Sequence, residues 1–269
     1  MPIFAGSLES MLIVTWNVAS IRARMARLAE LLDATAPDIV LVQETKCSTT
    51  NFPLAELEAL GYGAVHHGSG QWTGVAILHK LSATVEDPQY GLPGEPVPAE
   101  ARWVEASIDG LRVASTYVHN GRARSHPEFA NKLAFLAAAG DRVRAWRATG
   151  GQPLVLGGDF NVAPLDSDSF DPSAFETHVT PAEREALVAL IASGELVDAY
   201  RHLHPTEPCF TWWDYRGGAF HKNLGMRIDL LLVSTALAPR IERCTISREL
   251  RKGVKPSDHA PLLLQLSAS

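Results

Sequence analysis

The sequence predicts an α/β fold in which two mixed β-sheets pack together and helices lie outside them. Three observations carry this reading. Short β-branched runs alternate with longer stretches of helical spacing. Some neighbouring strands are joined by tight hairpins and others by helical crossovers, so each sheet must mix parallel and antiparallel pairs. Several runs are apolar at nearly every position, as buried strands are.

The elements follow in chain order. "MLIVTWNV" (11–18) and "DIVLVQE" (38–44) are short, apolar and bounded by turn residues, and read as buried strands. Between them "RARMARLAELLDATA" carries apolar residues at helical spacing, with Pro37 as its stop. "GVAILHK" (74–80), "RWVEASID" (102–109) and "LRVASTYV" (111–118) are further strands, the last two meeting at Asp109-Gly110, a hairpin signal. "HPEFANKLAFLAAAGDRVRAWRAT" is a long amphipathic helix, and "PLVLGGDFN" (153–161) is a strand closing on a glycine pair. "TPAEREALVALIAS" opens with Thr180 three residues before Glu183, a capping-box spacing, and is helical. "MRIDLLLVS" (226–234) and "APLLLQLS" (260–267) complete the strands.

Composition narrows the class. With 269 residues, 46% hydrophobic and 20% charged, the chain can bury a large core, and no linker or repeat divides it. One domain is expected over 11–269, preceded by a short extension at 1–10, because Met11 abuts the first strand. Three cysteines, Cys47, Cys209 and Cys244, without Cys-x-x-Cys spacing argue against a disulfide framework or zinc cluster. "MPIFAGSLES" lacks the basic start and apolar core of a secretory signal, and no apolar run approaches a membrane span. A soluble, reducing, cytoplasmic setting with no membrane partner is expected. The net charge of -6 requires any nucleic-acid partner to meet basic residues concentrated on one face.

Polar residues sit where the apolar runs stop. Asn17 and Glu44 end the first two strands, Asp159 and Asn161 follow Gly157-Gly158, and Asp258 with His259 introduces the last strand. Asp229 lies inside an apolar run, where an unpaired carboxylate is costly. Its partner could be a cation, an arginine or a protonated histidine. Taken singly, these residues are ordinary caps and turn acids. Taken together they crowd one sheet edge with acids, which repel unless a cation sits among them. Hard oxygen donors with no cysteine suit Mg²⁺ or Mn²⁺.

The order of motifs is itself informative. "WNVAS", "QETK", "TGVAIL", "YVHNGR", "GGDFNVAP", "WWDY", "GMRIDLLL" and "KPSDHAP" succeed one another across residues 16 to 261. In this the chain resembles the exonuclease III family of apurinic/apyrimidinic endonucleases, within the endonuclease/exonuclease/phosphatase superfamily. The resemblance implies a four-layer αββα sandwich with two mixed sheets, the DNase I-like fold. It implies Mg²⁺ as cofactor, with Mn²⁺ also accepted, and Glu44, Asn17 and Asp258 around the metal. It also implies that Asp159 orients or deprotonates the attacking water, Asn161 holds phosphate or water, His259 paired to Asp229 contacts the scissile phosphate, and Tyr117 lies near the leaving oxygen or phosphate.

The chemistry agrees with those roles. A metal neutralises the anionic phosphodiester, a carboxylate activates water, and an imidazolium donates to the developing charge. On the substrate side, the resemblance implies that Trp212, Met226 and Ile228 line an apolar pocket for an extruded abasic sugar. Lys46 and Arg122 stand among the basic residues expected to meet phosphates, with Arg22, Arg24, Arg124, Lys222, Arg251, Lys252 and Lys255. The expected substrate is double-stranded DNA with abasic sites or blocked 3′ ends, cut by a monomer. The expected activities are cleavage 5′ to abasic sites, 3′→5′ exonuclease, and 3′-phosphatase or phosphodiesterase. A superfamily phosphoesterase acting on a small phosphate or phospholipid is the alternative. The series departs from the family pattern at Ala19, where a polar residue is usual, and at His119, where proline is common.

Overall fold

A computed structural model describes residues 9–268, so most of the expected N-terminal extension lies outside the described residues. The chain runs β1 (Met11–Asn17), α1 (Met25–Thr35), β2 (Ile39–Gln43), α2 (Leu54–Ala59), β3 (Tyr62–His67), β4 (Val75–Lys80) and β5 (Val85–Tyr90). It continues through β6 (Trp103–Ile108), β7 (Leu111–Tyr117), α3 (Pro127–Ala148), β8 (Leu154–Asp159), α4 (Pro181–Gly194) and β9 (Leu196–Asp198). The remainder comprises α5 (Ala199–Leu203), β10 (Trp212–Trp213), α6 (Ala219–Lys222), β11 (Gly225–Met226), β12 (Asp229–Ser234), β13 (Ile241–Ile246) and β14 (Leu262–Leu266).

Two six-stranded sheets result, in the orders β13-β14-β1-β2-β4-β3 and β5-β6-β7-β8-β12-β9. Alternation along each strand sets the layers. In β1 and β2, Ile13, Ile39 and Leu41 face the other sheet, where they meet Val113, Val155 and Leu231. Val14, Trp16, Val40 and Val42 face outward and are covered by Leu28, Leu31 and Leu32 of α1. On the far side, Leu154, Leu156 and Leu230 pack under Phe135 and Leu136 of α3 and Leu187 and Leu190 of α4. The expected αββα sandwich is therefore present. Because both faces of the central strands are covered, their sequences carry apolar residues on both faces rather than a strict polar-apolar alternation. Among the described residues, no helix is long and apolar enough to cross a membrane.

Strand direction places the functional edge. β1 and β2 are parallel, as are β7 and β8, while β14 runs antiparallel to β1 and β12 antiparallel to β8. The ends of β1, β2, β7 and β8 therefore share one edge of the sandwich with the starts of β12 and β14. The glycine pair of β8 closes the layers there. A Cβ on Gly157 would stand 2.6 Å from a Leu41 methyl of the opposite sheet, and one on Gly158 would stand 2.0 Å from the Thr116 carbonyl.

Two sequence readings change. The run 226–234 is not one strand: β11 pairs with β10 in a small ribbon, and β12 begins at Asp229. Asp229 is thus a strand-start residue, in register with Asp159, rather than a strand-interior one. All four edge strands, β3, β5, β9 and β13, escape the apolar-run criterion. β5 reads "VEDPQY", is mostly exposed and carries a bulge, and β13 alternates buried Ile241 and Cys244 with exposed charges. Edge strands carry charges and proline for a reason: such residues discourage pairing with other chains.

Candidate active site

Asn17, the last residue of β1, is fully buried and joins the two sheets. Its Nδ2 donates to Glu44 Oε1 at 2.8 Å and to Asp159 Oδ2 at 2.9 Å, while its Oδ1 accepts the Ala19 N–H at 3.0 Å. In this pose the amide orients the two carboxylates and turns its oxygen away from them. Glu44 follows β2 in a left-handed conformation (φ 52°), as does Lys46 (φ 51°). That strain is held by backbone bonds from Thr45 and Lys46 to the Gly74 and Thr73 carbonyls. Lys46 Nζ lies 2.7 Å from Glu44 Oε2. Burial pushes the Glu44 carboxyl up, but Lys46 and Asn17 outweigh burial and hold it below its usual value. Glu44 is therefore an ionised, hard oxygen donor.

Across the cleft, His259 Nδ1–H donates to Asp229 Oδ2 at 2.8 Å, which aims Nε2 toward Asp159 Oδ2, 3.7 Å away. Asp229 is fully buried. Burial opposes a charged imidazole, yet Asp229, Asp159 and Asp258 together raise it to about 10, so His259 is an imidazolium at neutral pH. Asp159 is pushed up by its burial and by the charges of Asp229 and Glu44. The Tyr117 phenol is also pushed up, by burial first and then by Glu44 and Asp159, and stays a neutral donor. Asp159, Asp229 and His259 bring their side-chain N and O atoms within 4.8 Å of one another.

The "KPSDHAP" loop is fixed along its length. Ser257 Oγ donates to the Asn17 carbonyl and accepts the His259 N–H, and Trp16 Nε1 donates to the His259 carbonyl. Trp212 Nε1 donates to Asp258 Oδ2 at 3.1 Å. Glu44, Tyr117, Asp159, Asn161, Asp258 and His259 all line one cleft of about 390 Å³. Trp212, Met226 and Ile228 line the same cleft on its apolar side. Phe175 and Val179 pack against that side, Phe175 edge-on to Trp212 with centroids 6.4 Å apart.

The basic residues divide. Arg122 lines the cleft, and Arg22, Lys222, Lys252 and Lys255 are exposed. Arg251 is a correction to the expected phosphate-facing set. It is buried, donates to the Trp213 carbonyl and lies over the Tyr215 and Phe220 rings, so its charge serves packing. Cleft residues without a sequence assignment include Asn120, His178 and Phe175. Asn120 sits inside the quoted "YVHNGR" motif and was legible there. His178 and Phe175 lie in irregular chain ahead of α4 and carry no pattern of their own.

The two departures from the family pattern have different consequences. His119 points away from the cleft: its Nδ1 bonds Glu128 in the first turn of α3 at 2.8 Å, and its ring packs edge-on to Phe135. Ala19 adopts φ 48°, a left-handed conformation that asparagine tolerates better than alanine. Ala19→Asn should therefore stabilise the fold by about 0.5–1 kcal/mol, read as a higher urea midpoint at unchanged m-value.

Which bond such a cleft can break follows from its charges. The ionised Glu44 offers the cleft an oxygen for a cation, and the His259 imidazolium and Tyr117 phenol offer donors to an anion. A phosphate ester bound with a cation satisfies both, so the fold and site define a phosphodiester-hydrolysing enzyme. Residues 14–259 match the Endonuclease/Exonuclease/phosphatase family, and the chain belongs to that family. It is 32% identical over 263 residues to exodeoxyribonuclease III of Haemophilus influenzae, covering 93% of this chain and 97% of that one. Its structure is similar to the 3′ phosphatase NExo from Neisseria bound to product DNA hairpin (TM-score 0.91, 37% identity, 96% of this chain and 99% of that one). It is also similar to an AP endonuclease from Archaeoglobus fulgidus (TM-score 0.88, 34% identity, 95% and 99% covered).

Proposed function

We propose that the protein is a DNA-repair nuclease whose single cleft hydrolyses the phosphodiester 5′ to abasic sites and removes nucleotides or blocking phosphates from 3′ ends of duplex DNA. The observation that carries this reading is the fixed Asp229–His259–Asp159 array facing Glu44, with an apolar wall beside it. Glu44 and Asp258 would hold Mg²⁺, or Mn²⁺, with Asn17 keeping Glu44 in place. Their hard oxygens fit such an ion, whereas a protonated His259 has no lone pair to give the neighbouring Asp–Asp–His group. When bound, the ion neutralises phosphate charge and eases departure of the leaving alkoxide.

The chain's own groups do the rest. Asp159 Oδ2, steadied by Asn17, accepts the proton of the attacking water, and its raised proton affinity suits it to that task. His259 donates Nε2–H to a non-bridging phosphate oxygen, and Asp229 holds the ring in that orientation. Tyr117 donates its phenol to the phosphate from the same cleft, and Asn161 and Arg122 line the phosphate path. Trp212, Met226 and Ile228 receive the sugar that has lost its base. Lys46 adds positive charge on the Glu44 rim. Residues 11–269 act as one catalytic domain and as a monomer.

Three substrates test this in parallel: an abasic duplex, a duplex with a recessed 3′ end, and a hairpin ending in a 3′-phosphate. Each is incubated with protein and Mg²⁺, with and without EDTA. Cleavage is expected on all three, with EDTA lowering the rates by on the order of 10³-fold or more. Intact DNA in every arm, together with phosphate release from small esters, would establish the alternative phosphoesterase instead. The NExo relative, a 3′ phosphatase, supports particular attention to the third substrate.

A further inference from the structure

We propose that Lys132 and Glu183, two fully buried charged residues on α3 and α4, are positioning residues that clamp the loops forming one wall of the cleft. This rests on the nuclease reading of that cleft. Lys132 Nζ donates to the Asn161 carbonyl at 2.6 Å, to the Asn120 carbonyl at 3.2 Å, and to Glu183 Oε1. Glu183 Oε1 also accepts the His178 N–H at 2.8 Å, and its Oε2 accepts the Thr180 N–H and hydroxyl at 3.0 and 2.7 Å. One ion pair thus ties down the three segments that bring Asn120, Asn161 and His178 into the cleft. Apart from the bond between the two, every hydrogen bond of the pair goes to those segments or to the adjoining Thr180.

The tethered residues need holding. Asn161 and His178 both sit in left-handed conformations, at φ 52° and 75°. Such strain persists only where the surroundings over-determine it. Asn161 in turn fixes the proposed base: its N–H donates to Asp159 Oδ1 at 3.0 Å, and its side chain bridges the Val118 carbonyl and His178 Nε2. The clamp therefore acts on Asp159 through Asn161 and touches no reacting atom itself. Stability alone is a poor reason for the pair, because a buried ion pair exchanged whole for neutral groups often leaves stability unchanged or improved.

The test separates position from stability. Wild type, Lys132→Met/Glu183→Gln and Glu183→Gln are compared on a duplex with a recessed 3′ end, well below each melting temperature, with active enzyme titrated. The double variant is expected to lose roughly 10–100-fold in kcat, the scale of a small misplacement of catalytic groups, with KM within about 3-fold of wild type. Lys132→Arg, which keeps a cationic donor, should recover part of that loss. Unchanged kcat in the double variant overturns the inference, including when its melting temperature falls. Should the double variant not fold, Glu183→Gln decides: it keeps one acceptor oxygen, removes the charge that holds Lys132, and unchanged kcat there overturns the inference equally. If wild type itself leaves DNA intact, it is the nuclease reading that fails.

Discussion

Asp159→Asn should lower kcat on abasic or recessed duplex by roughly 10²–10⁴-fold, the usual worth of a positioned general base, while DNA binding changes little. The asparagine fills the same space and its single carbonyl oxygen can still accept the Asn161 N–H, but it cannot take a proton from water. The substitution should also make the metal-free protein more stable, and the sign can be worked out. Burial, Asp229 and Glu44 raise the Asp159 carboxyl above its unfolded value, so the folded state binds this proton more tightly than the unfolded state. Folding therefore weakens as pH climbs from the ordinary carboxylate range through the raised one, and the cost is complete above it. Asparagine never bears that charge. In EDTA, the melting temperature of the variant should exceed that of wild type by a margin that widens over that pH interval and then levels. A variant that keeps full kcat removes Asp159 from the mechanism. A stability gap that shrinks as pH rises removes the like-charge account of the site. The pairing of lost activity with gained stability is expected where a site concentrates repelling acids for chemistry.

Much of the site was legible in the sequence because each acid terminates an apolar run. Where a strand is covered on both faces, a polar residue at its end signals that the chain has reached the sheet edge. Asn17, Glu44, Tyr117 and Asp159 all follow that rule. Asp229 follows it too, although the apolar residues Met226 and Ile228 before it hide the break between β11 and β12. Residues that act through tertiary contact left no such signal. Lys132 reads as one more charge on a long helix, and only the packing of α3 against α4 shows that it is buried. Glu183 shows its capping-box role to Thr180 in sequence but not its ion pair. Arg251 reads as a phosphate contact and is instead a buried cation over aromatic rings. The outer strands β5 and β13 were invisible for the opposite reason: solvent on one side and no outer neighbour leave charge and proline where a central strand has mostly apolar side chains.

Arg227 offers the largest expected effect on stability. It is fully buried between Met226 and Ile228, the two residues of the apolar wall. Its guanidinium meets Asp168 through Nε at 2.7 Å and Nη2 at 3.0 Å, and Asp198 through Nη1 at 2.7 Å. Asp168, itself fully buried, also receives Arg201 and the Leu165 N–H. Burial alone would penalise the Arg227 charge, but Asp198 and Asp168 more than offset this and hold it charged. Asp168→Ala would leave the buried Arg227 with Asp198 alone and take from the Arg201 guanidinium its carboxylate partner. Removing one partner of a buried charge cluster costs about 3–5 kcal/mol. At roughly 2–4 °C per kcal/mol for a domain of this size, the melting temperature should fall by on the order of 10 °C. Activity should report the same event differently. The Asp159–His259–Asp229 array does not contact Asp168, so kcat measured well below the new melting temperature should hold. KM for abasic duplex should rise as Met226 and Ile228 lose the anchor between them. Asp168→Asn, which keeps acceptor geometry for one guanidinium, should fall between the two proteins in both measurements. A melting temperature within 2–3 °C of wild type for Asp168→Ala, a difference worth only about 1 kcal/mol, would mean that Asp198 alone suffices, and that the apolar wall is held by its own packing.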